Sequence, residues 1–253
     1  MSRRLAWLLL AGAALLGAWA CGPRPAEVVP QAELSADPEL TGPDLFQEVS
    51  PACGIRFAFR NGEDASPHLS ILESLGGGVA LIDFDGDGWL DVYVPGGGTF
   101  AGPDRSEVRG QPGRLFRNLG GWKFADVTEQ VGLATLDGGR PWFYTHAAAV
   151  ADYDRDGWPD LLVTGWGRVA LFRNVPDGKG GRRFEDVSAR AGLDRGITWA
   201  TSAAFADFDG DGYPDLYVCQ YVDWSFSNHP KCDYDGKTPD VCPPKKFQGL
   251  PHK

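Results

Sequence analysis

The apolar residues of this chain fall in short runs separated by Gly- and Asp-rich stretches. Gly78 to Ile82 is followed by Val92 to Val94, Ala147 to Ala151 by Leu161 to Val163, and Ala203 to Ala206 by Leu216 to Val218. Short apolar runs bounded by turn formers predict buried strands rather than helices. Two further patterns recur. Leu115-Phe116-Arg117-Asn118 returns as Leu171-Phe172-Arg173-Asn174, and both alternate polar with apolar positions. A Phe-x-acid-Val-Ser/Thr segment begins at Phe46, Phe124 and Phe184, each time with a Gly eight residues after the Phe: Gly54, Gly132 and Gly192. The predicted unit is therefore strand, acidic loop, strand, a strand ending in Arg-Asn, a tight turn, and a strand running Phe-x-acid-Val. Four-stranded units of this length arranged radially make a β-propeller, whereas the repeats of a stacked β-helix are much shorter.

The acidic loops carry the chemistry. Asp83, Asp85, Asp87 and Asp91 stand in the pattern D-x-D-x-D-G-x-x-D, repeated at Asp152, Asp154, Asp156 and Asp160 and at Asp207, Asp209, Asp211 and Asp215. Side-chain oxygens at alternate positions, a Gly for the sharp turn and a carbonyl at position 7 are how a chain wraps Ca²⁺, which takes six to eight oxygens. The position-7 carbonyls belong to Trp89, Trp158 and Tyr213. An EF-hand closes with Glu at position 12 between helices; these loops close with Asp at position 9 between strands. A single such loop also reads as a solvated acidic turn, but three with all twelve Asp in place predict about three structural calcium ions.

Composition narrows the partners. The chain of 253 residues has 34 acidic and 24 basic residues and a formal charge of −10, which three Ca²⁺ would bring to −4. That balance, without a Lys/Arg cluster, excludes binding through a nucleic-acid backbone. Residues 1–21 read as an export signal: Arg3 and Arg4, an apolar stretch from Leu5 to Leu16, and Ala18-Trp19-Ala20 before Cys21. The apolar stretch is shorter than the roughly 20 residues a membrane span needs. Cys21 sits where a bacterial lipobox places its lipidated cysteine, although Ala18 and Trp19 depart from that pattern, so a lipid-anchored and a freely secreted protein are both expected. Residues 22–43, with Pro23, Pro25, Pro30, Pro38 and Pro43, predict a disordered tether. The mature chain is expected outside the cytoplasm, where disulfides persist.

Cys232 and Cys242, ten residues apart across a Pro- and Lys-rich insertion, are the expected disulfide; Cys53 with Cys219 is a weaker pairing, with Cys219 as a buried thiol the alternative. The four His (His68, His146, His229 and His252) share no metal-ligand spacing, and neither the His-Glu-x-x-His nor the Gly-x-Ser-x-Gly motif is present.

The Asp loops between short strands resemble the FG-GAP/VCBS repeats of integrin-α-like propellers. With Gly76 to Ala80, Leu-Phe-Arg-Asn and Phe-x-Asp-Val…Gly-Leu, residues 44–253 look closer still to bacterial relatives of cartilage acidic protein, whose members often add an ASPIC/UnbV domain. The resemblance implies an all-β, seven-bladed propeller with calcium between the first two strands of each blade, held by the Asp sets named above, and no established catalysis. About three blades are present, so the chain reads as a fragment, with Leu250 to Lys253 approaching the next Arg-Asn strand. The expected function is a calcium-binding surface or adhesion-type module for a protein or glycan. The alternative is an extracytoplasmic hydrolase or lyase acting on polysaccharide, its pocket built from the insertions at Thr99–Arg114 and Asn228–Lys246.

Overall fold

The computed structural model describes residues 46–65 and 67–253. The expectations for the export signal, Cys21 and the Pro-rich tether lie outside them. The blades belong to one compact unit, Glu48–Lys253.

The first blade comprises β1 (Ala80–Ile82), β2 (Asp91–Val94), β5 (Arg114–Asn118) and β6 (Phe124–Asp126), paired antiparallel in that order. A hairpin of β3 (Gly98–Ala101) and β4 (Glu107–Gly110) is inserted between its second and third strands. The second blade is β7 (Thr145–Ala151), β8 (Asp160–Gly165), β9 (Val169–Pro176) and β10 (Arg182–Asp186), again consecutive and antiparallel. The third contributes β11 (Ala200–Ala206) and β12 (Asp215–Gln220). Val218 then exchanges both backbone hydrogen bonds with Lys253, at 2.7 and 3.1 Å. This sets Lys253 beside β12 at the register that Arg114 and Ala170 hold beside β2 and β8. The fold is all-β, made of the antiparallel four-stranded sheets of a propeller.

Apolar strand faces pack blade on blade. Ile82, Tyr93 and Leu115 of the first blade meet Leu161, Val163 and Phe172 of the second. Leu162, Leu171 and Val187 meet Ala200 and Val218 of the third. At the end of the strands opposite the Asp loops, the β3–β4 hairpin, the residues that lead into β7 and β11 and the segment after β12 form an aromatic cap in which Phe100, Tyr144, Trp199 and Trp224 are buried. Phe226, just ahead of the third-blade insertion, crosses Phe100 of the β3–β4 hairpin edge to face at 5.7 Å. The insertion at Thr99–Arg114 thus carries most of a hairpin, and that hairpin packs against the third blade through Phe226.

The Phe-x-Asp-Val-Thr/Ser pattern has a local cause. Thr128 donates from both N–H and hydroxyl to Asp126, while its hydroxyl oxygen accepts the Leu115 N–H at 3.0 Å. Ser188 repeats this with Asp186 and Leu171. The Gly that follows has a left-handed φ, +83° at Gly132 and +91° at Gly54, and lies against the Phe184 and Phe124 carbonyls of the adjoining blade. The first copy departs from expectation. Phe46 to Val49 form no strand, and a short helix, α1, occupies Ser50–Cys53. β6 and β10 have a third strand to pair with; among the described residues the first copy has none.

Cys232 and Cys242 form the expected disulfide, with Cα atoms 5.3 Å apart, closing the small hairpin β13 (Cys232–Asp233) and β14 (Pro239–Asp240). The weaker pairing is corrected: Cys53 and Cys219 are both free thiols. The Cys53 thiol points back into α1 toward the Ser50 carbonyl, 3.4 Å away, while Cys219 stands within β12.

Candidate metal sites

Each Asp loop joins the first strand of a blade to the second, and the three fold alike. Asp83 accepts the N–H groups of Asp87 (3.1 Å) and Gly88 (3.0 Å), pulling the loop into a tight coil. Asp152 does the same for Asp156 and Gly157, and Asp207 for Gly210 and Gly212. Position 5 caps the turn: Asp87, Asp156 and Asp211 accept the N–H of Trp89, Trp158 and Tyr213.

Position 9 is a latch. Asp91 is fully buried and accepts N–H groups from Phe84 (3.1 Å) and Asn118 (2.7 Å), joining the loop's start to the blade's third strand. Asp160 makes the matching bonds with Tyr153 and Asn174, at 3.1 and 2.8 Å. Burial lifts both carboxyls to a pKa of about 6, because desolvation outweighs the two N–H donors and the neighbouring Asp charges add to it.

Carboxylate oxygens of positions 1, 3 and 9 converge to within 4.8 Å of one another in every loop: Asp83, Asp85 and Asp91; Asp152, Asp154 and Asp160; Asp207, Asp209 and Asp215. Position 5 stands outside these trios. In the first two loops Arg117 and Arg173, from the third strand, span positions 3 and 5. Arg117 Nε lies 2.6 Å from Asp85, and its terminal nitrogen is 3.1 Å from Asp87. Arg173 lies 2.5 Å from Asp154 and 3.0 Å from Asp156.

A hard cation suits this donor set. Asp85 Oδ1 and Asp154 Oδ1 are buried without a hydrogen-bond partner, although their sister oxygens face an Arg. A buried carboxylate oxygen left unpaired is costly unless a cation takes it, and an all-oxygen cluster fits Ca²⁺ rather than a soft metal. One Arg against four Asp leaves each of these two loops strongly negative, so a divalent ion has charge to neutralise. In the third loop all four Asp are exposed, and no Arg spans positions 3 and 5 among the described residues.

The alternation of polar and apolar positions does not show which way the Arg-Asn pair faces. The structure turns it into the loop, with Arg on the acids and Asn on the latch. The repetition of Leu-Phe-Arg-Asn was the available signal.

The cap holds a cavity of about 380 Å³ lined by His68, His229, Lys231 and the disulfide hairpin. His229 is fully engaged there: Nδ1 accepts the Trp224 indole N–H at 3.1 Å, and Nε2 faces the His68 carbonyl at 3.0 Å. His146, buried near the start of β7, accepts the Trp199 indole N–H on Nε2 at 2.8 Å, and burial lowers its pKa to about 4. Each ring is thus held by an indole N–H.

Fold and loops define the class: a propeller repeat protein with acidic loops between the first two strands of its blades. Residues 152–218, from the second loop into β12, match the FG-GAP-like repeat family. Over 149 residues the chain is 30% identical to integrin alpha-3 of Cricetulus griseus, covering 56% of this chain and 14% of that protein. Over 157 residues it is 26% identical to integrin alpha-7 of Rattus norvegicus, covering 60% and 13%. The chain therefore matches about one seventh of the length of these curated relatives.

Proposed function

We propose that this protein is an exported, calcium-stabilised propeller module that works by binding a protein or glycan at a surface and does not catalyse a reaction. The observation that carries the reading is the convergence of three carboxylates in each loop, with buried, unpartnered oxygens at Asp85 and Asp154. Asp83, Asp85 and Asp91 would hold one ion, with Asp87 and the Trp89 carbonyl completing the shell. The sets at Asp152, Asp154, Asp156, Trp158 and Asp160 and at Asp207, Asp209, Asp211, Tyr213 and Asp215 would hold two more. Such an ion would neutralise the loop and link folding to metal binding.

The similarity to integrin alpha chains supports a surface interaction role, and the Cys232–Cys242 disulfide supports an extracytoplasmic setting. Anchoring through a lipid on Cys21, and kinship with bacterial relatives of cartilage acidic protein, belong to the same proposal. They rest on the signal-like N-terminus and on the Leu-Phe-Arg-Asn and Phe-x-Asp-Val patterns.

The test is thermal unfolding of the full chain in Ca²⁺, Mg²⁺ and chelator. At a hundredfold excess over Kd each filled site adds about 2.7 kcal/mol. For a domain of this size that raises Tm by roughly 5–11 °C per site. A Tm indifferent to calcium would refute the proposal.

A further inference from the structure

Asn174 is buried and bonded to two Asp loops at once. In its own blade its backbone N–H donates to the latch carboxylate Asp160 at 2.8 Å, and its side-chain Nδ2 donates to the Pro159 carbonyl at 3.2 Å. The same Nδ2 crosses to the first blade and donates to the Phe84 carbonyl at 2.8 Å. That carbonyl belongs to the Phe84–Asp85 peptide, so the bond orients the backbone that presents Asp85, whose Oδ1 is buried and unpartnered. The Phe84 N–H is fixed in turn by the first loop's own latch, Asp91.

A second contact runs alongside. Arg182 donates to Asn174 Oδ1 at 3.0 Å and stacks its guanidinium 4.0 Å from the Trp158 ring centre. The Trp158 ring lies against Gly86, where an added Cβ would come within 2.9 Å of it. Loops two and three lack an equivalent of the Asn bridge among the described residues. They touch through Arg155, whose guanidinium lies 4.9 Å from the Tyr213 ring centre.

We propose that Asn174 is a positioning residue that couples the first two cation loops, so that they fill cooperatively. An ion in the second loop holds Asp160, Asp160 holds Asn174, and Asn174 holds the Phe84–Asp85 peptide in the conformation that offers the Asp85 oxygen. The first loop then binds without having to order that peptide itself, and the linkage runs equally in reverse. The inference rests on the calcium reading of the loops.

The experiment is calorimetric titration of the full chain with Ca²⁺ in an Asp209→Asn background, which silences the exposed third loop. Adding Asp154→Asn, which disables the second loop, is expected to weaken calcium binding at the first by about fivefold or more. Asp85→Asn should weaken the second loop by the same factor. Asn174→Ala should abolish this reciprocity, while Asn118→Ala, which alters the equivalent Asn of the first blade, should leave it intact. If Asn174→Ala does not fold, Trp158→Ala, which removes the second contact, takes its place: reciprocity that survives it assigns the coupling to Asn174, and reciprocity lost with it overturns that assignment. Equal affinity at each loop whether or not the other is intact overturns the coupling while leaving the calcium reading standing. No calcium uptake by the unmodified chain overturns both.

Discussion

Positions 3 and 9 of the Asp loops do different work, and the second loop shows how to separate them. Asp160, 1% exposed, holds two backbone N–H groups, from Tyr153 and Asn174. Asp160→Ala leaves both buried and unpaired, at about 1–3 kcal/mol each. Relief of the carboxylate's own desolvation, which lifts its pKa to about 6, offsets part of that. The expected net loss in chelator is about 2–4 kcal/mol, or roughly 4–16 °C in Tm. Asp154→Ala removes an oxygen with no partner and a half-exposed contact with Arg173, so its cost in chelator is at most about 1 kcal/mol. In calcium both variants are expected to lose the further gain that an ion in the second loop would bring. Urea unfolding of the full chain, followed by Trp fluorescence in chelator and again in Ca²⁺, gives the four numbers. Equal losses for the two variants in chelator would refute the division into latch and ligand.

Further outcomes follow from the same geometry. In the metal-free fold Asp91 and Asp160 stay protonated up to about pH 6, above the ordinary carboxylate value of 3.8, so protons compete with the cation below that pH. Calcium affinity should therefore fall as pH drops from 7.5 to 5, measured as the calcium needed for half of the Tm gain. Gly54→Ala would set a Cβ 2.4 Å from the Phe124 carbonyl at φ +91° and should cost about 2 kcal/mol or more. Gly192→Ala, with φ +72° and no atom within 4 Å, should cost only about 1 kcal/mol, both read by urea unfolding. Replacing Cys232 and Cys242 by Ser releases a loop closed over ten residues, worth roughly 3 kcal/mol in the chain-entropy picture. Hydrogen exchange should rise across residues 228–246 and remain unchanged in β7–β9.

The repeat was legible because its determinants are local. The Asp spacing, the flanking apolar runs and the Phe-x-Asp-Val turn each make bonds within a few residues, as Asp83 does with Gly88 and Asp126 with Thr128. What stayed hidden depends on partners far along the chain. Arg117 reaches back 30 residues to Asp87, and Asn174 reaches 90 to Phe84. No spacing rule marks either contact. The aromatic cap was illegible for the same reason: Phe100 and Phe226 meet across a separation of 126 residues that no register rule spans. The Cys53–Cys219 pairing, argued from count and position, could not register that Cys53 is turned into its own helix.

The most direct test of the central claim is an anomalous difference map from crystals of this chain grown in Ca²⁺. Three peaks are predicted, one in each loop, with oxygens of Asp83, Asp85 and Asp91, and of their counterparts in the other two loops, at roughly 2.3–2.6 Å. Loops without anomalous density, with Arg117 and Arg173 alone satisfying the carboxylates, would contradict it.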